Sequence, residues 1–257
     1  MTRPIVLVHG AWVTAESWDP FRRRYEARGR EVHTPSWPLI EAKRAAEINR
    51  AVPEGFGSLT LGRIVDHLQV AIERLAEPPM LIGHSFGGLL VQLLLDRGVG
   101  AAAAVINPAP IAGVVPDAAA ISAIAPILFR PAGWLRPYAF DRERFGRLYA
   151  TGAPADLVDR VFSDWVIPAP GMIFHQAAFR AGSRVQPARR TQPLLITASD
   201  CDRLITPGVA RAAFRRQSRA GAPTEFHQFA GRSHLLIAEP GWEEVADVAL
   251  GWLDGVA

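Results

Sequence analysis

Cysteine and lysine are almost missing from this chain of 257 residues. Cys201 is the single cysteine, so no disulfide can form within the chain and packing alone must hold the fold, which suits a reducing compartment such as the cytoplasm. We interpret this cysteine as a packing residue and not as a second nucleophile. Lys43 is the single lysine, and arginine therefore carries nearly all of the positive charge behind a net charge of +3.

Long runs of apolar residues or of like charge are missing as well. No stretch of about 18 apolar residues occurs, so we expect no membrane span. The strand-like run at residues 5–8 is too short for the core of a signal peptide, and we expect it to belong to the fold. Four arginines between residues 211 and 219 have helical spacing beside an apolar stripe, which favours a solvated helix face over a nucleic-acid patch. These arginines are Arg211, Arg215, Arg216 and Arg219. We expect no nucleic-acid partner, and the sequence leaves the oligomeric state open.

Short apolar runs alternate with helical patterns along most of the chain. This alternation predicts an α/β fold with a mostly parallel sheet of about six strands, flanked by helices on both faces. The predicted strands are residues 4–8, 30–34, 79–82, 101–106, 194–197 and 225–229. The predicted helices are residues 17–28, 58–76, 85–97, 206–219 and 240–253. Four of the strands are almost continuously hydrophobic, as strands buried on both faces must be.

The alternation stops between residues 108 and 193, where prolines and aromatic residues are frequent. A loop of this length without structure is implausible in a compact domain. We therefore predict a helical lid over residues 109–190, inserted into a core formed by residues 1–108 and 191–257. Four aromatic residues are candidates for lining a substrate pocket, the alternative being that they pack the lid onto the core. They are Trp12, Phe129, Trp134 and Trp165.

A buried strand, a sharp turn and a buried helix are predicted around Ser85. Residues 83–87 read G-H-S-F-G, after the apolar residues 79–82 and before a helix that is apolar on nearly all sides. In this context the G-x-S-x-G pattern is typical of a nucleophile on a strained turn. The glycines leave room for the turn, and the helix N-terminus faces the place where an oxyanion forms. The alternative is a serine that caps the helix, and we take Ser85 as the candidate nucleophile.

The chain resembles the α/β-hydrolase superfamily over nearly its whole length apart from the lid. The resemblance rests on the pattern around Ser85 and on a first strand that ends in His9-Gly10. It implies that the backbone N–H groups of Ala11 and Phe86 form an oxyanion hole. His9 is interpreted as a brace for the loop and not as a catalytic base.

The resemblance also implies a triad in the chain order serine, acid, histidine. His234 lies in a loop after the last predicted strand and is the candidate base. Residues 199–207 read S-D-C-D-R-L-I-T-P and match the family pattern for the acid with Asp202, with a serine where a glycine is usual. Asp200 is the alternative acid. Some members take the acid from the end of the preceding strand, but Asn107 occupies that position and carries no carboxylate.

The opening of the chain looks similar to the plant methylesterase and hydroxynitrile-lyase branch. The lyases typically have threonine where this chain has Gly10 and lysine where it has Leu235, and both departures favour hydrolysis. A serine nucleophile also differs from the aspartate of haloalkane dehalogenases and epoxide hydrolases. The sequence therefore predicts a serine esterase that cleaves a carboxylic ester or lactone of a small, largely hydrophobic substrate through an acyl-enzyme on Ser85.

Neither a metal nor a nucleotide cofactor is implied, because the sequence has no ligand spacing for a metal and no glycine-rich phosphate loop. Three other functions stay open on the same scaffold. One is a cofactor-independent lyase or dioxygenase that uses the His234–Asp202 pair as a base. The second is a perhydrolase or haloperoxidase-like activity. The third is a binding protein with an inactive hydrolase fold, against which the complete set of triad residues argues.

Overall fold

A parallel sheet of six strands forms the centre of the computed structural model, which describes residues 2–256. The strands of the chain are β1 (Ile5–Val8), β2 (Val32–His33), β3 (Met80–His84), β4 (Ala102–Ile106), β5 (Pro137–Tyr138), β6 (Ala169–Pro170), β7 (Leu194–Ser199) and β8 (Thr224–Phe229). The order in the large sheet is β2-β1-β3-β4-β7-β8, and β5 pairs with β6 in a separate antiparallel ribbon. The predicted α/β class and the six-stranded parallel sheet are confirmed.

Helices cover both faces of the sheet. The helices of the chain are α1 (Asp19–Glu26), α2 (Ala45–Arg50), α3 (Leu61–Ile72), α4 (Phe86–Asp96), α5 (Ala118–Leu128), α6 (Arg142–Leu148), α7 (Ala155–Trp165), α8 (Gly171–Ala178), α9 (Pro207–Gln217) and α10 (Trp242–Val256). Side chains alternate along β1, so that Val6 and Val8 pack with α3 and α4 while Ile5 and Leu7 pack with α1 and α10. Of the helices in residues 2–256, none combines the length and the hydropathy that are needed to cross a bilayer.

Several helices are shorter than the sequence pattern predicted. Helix α3 begins only after Thr60, whose side chain accepts a hydrogen bond from the N–H of Arg63 at 3.2 Å. The preceding residues Phe56–Ser58 form a separate 3-10 turn. Ser17 does not cap α1, because it lies in a 3-10 turn and its hydroxyl donates to the carbonyl of Thr14. The short helix α2 was not predicted.

The insertion between β4 and β7 contains the helices α5 to α8 and the ribbon β5–β6. The helices agree with the expected character of a lid, while the ribbon was not predicted; the bounds 109–190 stay a prediction. Backbone hydrogen bonds tie the insertion to the loop after β1. The N–H of Thr14 donates to the carbonyl of Trp165 at 3.1 Å, and the N–H of Ile167 donates to that of Trp12 at 2.9 Å. The loop that follows the first strand is therefore shared by the core and the insertion.

Candidate active site

Ser85 lies on the turn between β3 and α4 with φ 57° and ψ −123°. A residue other than glycine rarely adopts a positive φ, and such a residue carries strain on the order of 1–3 kcal/mol. Two backbone hydrogen bonds hold the turn: the N–H of Ser85 donates to the carbonyl of Ile106 at 3.0 Å, and the N–H of Ala109 donates to the carbonyl of Ser85 at 2.9 Å. The strained turn predicted around Ser85 is present, anchored on the neighbouring strand β4.

The glycines on either side of Ser85 are required by close backbone packing. A Cβ atom at Gly83 would overlap the backbone of Gly87, and a Cβ atom at Gly87 would overlap the carbonyl of Val8. The absence of these atoms lets the start of α4 approach the ends of β1 and β3. The N-terminus of α4 is thereby brought to the carboxyl edge of the sheet, where its dipole favours negative charge.

Two backbone N–H groups near Ser85 are free to bind an oxyanion. Ala11 follows β1 and Phe86 is the first residue of α4, and within residues 2–256 neither N–H group donates to an acceptor. Gly10 lies next to the nucleophile. A Cβ atom at Gly10 would stand 3.6 Å from Ser85 Oγ, so the missing side chain leaves the space beside the hydroxyl open.

His9 holds the loop that carries Ala11. Its Nδ1 lies 3.0 Å from the carbonyl of Gly10, and its Nε2 accepts a hydrogen bond from the N–H of Trp37 at 3.3 Å. These contacts require a neutral ring with the proton on Nδ1. The ring stacks on Trp37 with centroids 4.8 Å apart, and burial lowers the pKa of His9 to about 4. These contacts are those of a structural brace, as the sequence interpretation has it.

His234 and Asp202 form a buried pair in the loops after β8 and β7. Nδ1 of His234 donates to Oδ2 of Asp202 at 2.6 Å, and both side chains are fully buried. The other carboxylate oxygen accepts the N–H groups of Leu204 and Ile205, each at 2.8 Å. Nε2 of His234 has no partner among residues 2–256, and the ring lies 4.6 Å from that of His84, the neighbour of Ser85 in the chain.

Asp200, the alternative acid, has a different position. Its side chain is exposed and accepts the N–H of Gly231 at 2.6 Å. It therefore stabilises the loop that leads to His234 without touching the imidazole. The geometry brings Asp202, and not Asp200, to the histidine.

The sequence profile of the Alpha/beta hydrolase family matches residues 5–248. The chain belongs to the alpha/beta hydrolase family. Its fold is similar to that of a monoacylglycerol lipase from Paleococcus ferrophilus, with a TM-score of 0.67, 21% identity and coverage of 98% of this chain and 96% of that chain. A pyrethroid hydrolase from Sphingobium faniae JZ-2 has a TM-score of 0.65, 16% identity and coverage of 99% of this chain and 98% of that chain. A methylesterase from Arabidopsis has a TM-score of 0.70, 15% identity and coverage of 99% of this chain and 100% of that chain. None of the curated proteins is significantly similar to the chain in sequence.

Asn107 is a candidate functional residue that the sequence patterns did not identify. It follows β4 with φ 44°, is fully buried, and donates from Nδ2 to Oδ2 of Asp202 at 2.7 Å. The same amide contacts the hydroxyl of Ser199. At the sequence level Asn107 was considered only as a position that lacks a carboxylate. The structure shows it as a donor that holds the carboxylate next to His234.

Glu239 stabilises the loop that carries His234. Its carboxylate accepts the N–H of Ser233 at 3.0 Å and the hydroxyl of Ser233 at 2.6 Å, while that hydroxyl accepts the N–H of Leu235 at 3.0 Å. The backbone on both sides of His234 is therefore fixed by one buried acid. The sequence pattern did not identify this role, because Ser233 and Glu239 lie in a segment between the last predicted strand and the last predicted helix.

Tyr149 and His84 enclose the imidazole of His234. The ring of Tyr149, from the insertion, stands edge-on at 4.7 Å, and the ring of His84 lies at 4.6 Å on tilted planes. Burial lowers the pKa of His84 well below its usual value, and the nearby His234 lowers it further. Burial also raises the pKa of Tyr149. Both neighbours therefore stay neutral beside the candidate base.

An apolar cavity of about 260 Å³ lies beside the residue that follows the nucleophile. The core contributes Phe86, Leu204 and Ile205, and the insertion contributes Ala109, two prolines and residues of α5 and α8. Two of these core residues, Leu204 and Ile205, also hold Asp202 through their N–H groups. The cavity is thus built on the same loops as the candidate triad.

The structure places the four aromatic residues predicted to line the pocket outside this cavity. Trp12 is buried between Phe140 and Phe174, with ring centroids 4.2 and 4.6 Å away, and fastens the insertion to the core. Phe129 is 83% exposed, Trp134 is 46% exposed, and Trp165 faces an open surface groove beside Trp242. Aromatic residues thus hold the insertion together or lie on its surface. Aliphatic residues line the cavity for the most part. The packing role given to Cys201 was wrong, since its side chain is exposed.

Proposed function

We propose that this chain is a serine esterase that cleaves the carboxylic ester or lactone of a small, largely hydrophobic substrate through an acyl-enzyme on Ser85. The observation that carries the proposal is the buried His234–Asp202 hydrogen bond of 2.6 Å, with Nε2 of the imidazole left free next to the turn that presents Ser85. An imidazole that is oriented in this way can remove the proton of a nearby hydroxyl group.

Acylation begins when Ser85 Oγ attacks the carbonyl carbon while Nε2 of His234 takes the hydroxyl proton. Asp202 stabilises the imidazolium and fixes the proton on Nδ1. The oxyanion receives the N–H groups of Ala11 and Phe86, and each such donor is worth roughly 3–4 kcal/mol in the transition state. The bond to the alcohol then breaks, and His234 returns the proton to the leaving oxygen. Water activated by His234 releases the acid from Ser85 in the second half-reaction.

The cavity beside Phe86 supports a small apolar acyl or alcohol group. Its volume of about 260 Å³ lies just below the roughly 300–1,000 Å³ of common ligand pockets. The structural neighbours named as a lipase, a pyrethroid hydrolase and a methylesterase agree with an ester substrate. Gly10 and Leu235 support hydrolysis over cyanohydrin cleavage, because the lyases that the chain resembles typically have threonine and lysine at these positions.

The proposal is tested with p-nitrophenyl esters of increasing acyl length. We expect turnover by the natural sequence and a loss in kcat of at least about a thousandfold in Ser85→Ala. Ser183→Ala is the matched control, because Ser183 is a buried serine of the insertion whose hydroxyl has no partner in the described residues. A fluorophosphonate should label the natural sequence once, on the peptide that contains Ser85. Inert natural protein, or equal activity in Ser85→Ala, would overturn acyl transfer and favour the lyase or dioxygenase alternative.

A further inference from the structure

Large apolar side chains are exposed mainly on one part of the insertion. Five of them lie in the first half of α5, directly after the C-terminal ends of α5 and α8, and on the turn between α5 and β5. They are Ile121, Phe129, Trp134, Leu135 and Phe179, with exposed fractions of 46%, 83%, 46%, 56% and 73%. We call these five residues the lid patch. Single exposed apolar residues need no explanation, but a cluster marks an interaction surface.

Two members of the lid patch, Trp134 and Phe179, are linked through the ring of His175. The ring of Trp134 lies 5.8 Å from that of His175, and the ring of His175 lies 6.3 Å from that of Phe179. Phe129 directly follows Leu128, which lines the apolar cavity, and Phe179 directly follows Ala178, which lines it from the other helix. The patch therefore spans the ends of both cavity-forming helices.

The charge of these segments has one sign. Residues 118–140 contain Arg130 and Arg136 and no aspartate or glutamate, and residues 171–183 contain Arg180 and again no acidic residue. All three arginines are exposed, and each directly follows an apolar residue of the patch. Aromatic and aliphatic side chains interleaved with arginine bind a surface with an apolar interior and negative head groups.

The cavity is lined by a residue of the lid patch and by neighbours in sequence of the candidate triad residues. Ile121 lines the cavity and is also 46% exposed, so the mouth of the cavity lies within the lid patch. Phe86, the residue after Ser85, also lines the cavity. An apolar group that leaves a lipid layer at the patch would enter the cavity without crossing water.

From the exposed apolar cluster, its positive charge and the cavity mouth within it, we propose that the lid patch docks on an anionic lipid surface. The docked partner is a membrane or micelle with phosphate or carboxylate head groups. Phe129 and Phe179 insert below the head groups, and Arg130, Arg136 and Arg180 pair with the head groups. Docking goes beyond the proposed esterase activity and does not depend on it.

The test measures vesicle binding by cosedimentation in the Ser85→Ala background, so that lipid hydrolysis does not interfere. We expect binding to vesicles of about 70% phosphatidylcholine and 30% phosphatidylglycerol, weaker binding to phosphatidylcholine alone, and a decline as salt rises. Phe129→Ser with Phe179→Ser should weaken binding at least about tenfold. Arg136→Gln with Arg180→Gln should weaken it about 25-fold, at about fivefold for each charge.

Val70→Ser and Arg74→Gln are matched controls, because both residues are exposed on the core outside the insertion. They should bind vesicles like their parent, and thermal unfolding checks that all variants fold. No binding to the anionic vesicles, or equal loss in the controls, would overturn the proposal. It is also overturned if the phenylalanine variants only dissociate a dimer that ignores vesicles, since the patch is then a contact between copies. Hydrolysis of soluble esters by the natural sequence is measured separately, so failure of docking and failure of the esterase proposal are distinguishable.

Discussion

The carboxyl edge of the sheet and the insertion are built in different ways. At the sheet edge each candidate residue follows a strand and is fixed by backbone hydrogen bonds, as Ser85 is after β3 and Asp202 is after β7. The insertion is fixed by aromatic contacts, such as those of Trp12 with Phe140 and Phe174, in addition to its backbone hydrogen bonds with the loop after β1, and it leaves apolar side chains in solvent. Under the proposed function, the sheet edge would set the chemistry, and the insertion would set the shape and the approach of the substrate.

This difference predicts that kcat depends on individual atoms at the sheet edge, whereas the choice of substrate depends on the volume of side chains in the insertion. A substitution of one atom at the edge should change kcat strongly, because it changes protonation or orientation. A substitution in the insertion should change the choice of substrate, because a methylene group in an apolar pocket is worth about 1–3 kcal/mol. Four experiments separate these expectations, beginning with the largest effect.

Asp202→Asn and Asp200→Asn give the sharpest contrast at the sheet edge. The first removes the acceptor that fixes the tautomer of His234, and we expect kcat for a p-nitrophenyl ester to fall about 10³- to 10⁴-fold. The second removes an exposed loop contact and should stay within about twofold of the natural sequence. Steady-state kinetics of the two isosteric variants measure the contrast. If Asp200→Asn is the more damaging one, the assignment of the acid is reversed.

The same contrast explains what the sequence could predict. The parallel sheet, the turn at Ser85 and the loops of Asp202 and His234 follow from local patterns and from chain order, which neighbouring residues determine. Asn107 is different, because its partner Asp202 is 95 positions away and no residue near Asn107 in the sequence indicates this contact. Tyr149 contacts His234 from the insertion, which has no strand–helix rhythm to locate it. The cavity depends on how α5 and α8 pack, which no single-segment pattern contains.

His9 predicts how the stability of the sheet edge depends on pH. Its pKa is lowered from 6.5 to about 4 by burial, so the unfolded chain binds the extra proton between these values and the folded chain does not. Stability is therefore fully present above about pH 6.5 and is lost as the pH falls towards 4, by about 3 kcal/mol from His9. His84 acts in the same direction.

Urea denaturation between pH 4 and pH 7 measures this dependence. His9→Gln should unfold more easily at pH 7, because the contacts to Gly10 and Trp37 are weakened, but its stability should change less with pH. The comparison uses the slope of the free energy of unfolding against pH, which a general loss of packing does not alter. An unchanged slope in the variant would mean that His9 is not the group that takes up the proton on unfolding.

Asn107→Ala tests whether a neutral donor at the sheet edge positions the acid. A hydrogen bond to a charged group is worth about 1.5–3 kcal/mol, so we expect kcat to fall roughly 10- to 100-fold with KM little changed. Ser199→Ala removes the other partner of the same amide and is the control. A fall in kcat in the first variant alone locates the effect in the contact with Asp202. Equal falls in both, with equal losses of stability, would instead show a general packing role for this corner of the core.

The smallest expected effect decides whether the acyl group binds in the cavity lined by Ala178 or near Trp165. Ala178 lines the cavity from α8, so Ala178→Leu should fill part of it and lower kcat/KM about tenfold for a p-nitrophenyl octanoate while sparing the acetate. Trp165 was predicted from sequence as a pocket residue but faces an outer groove, and Trp165→Ala should leave the ratio of the two esters unchanged. The ratio is the useful quantity, because a general disturbance of the insertion lowers both activities together. If Trp165→Ala shifts the ratio and Ala178→Leu does not, the acyl group binds elsewhere and the cavity beside Phe86 has no part in substrate choice.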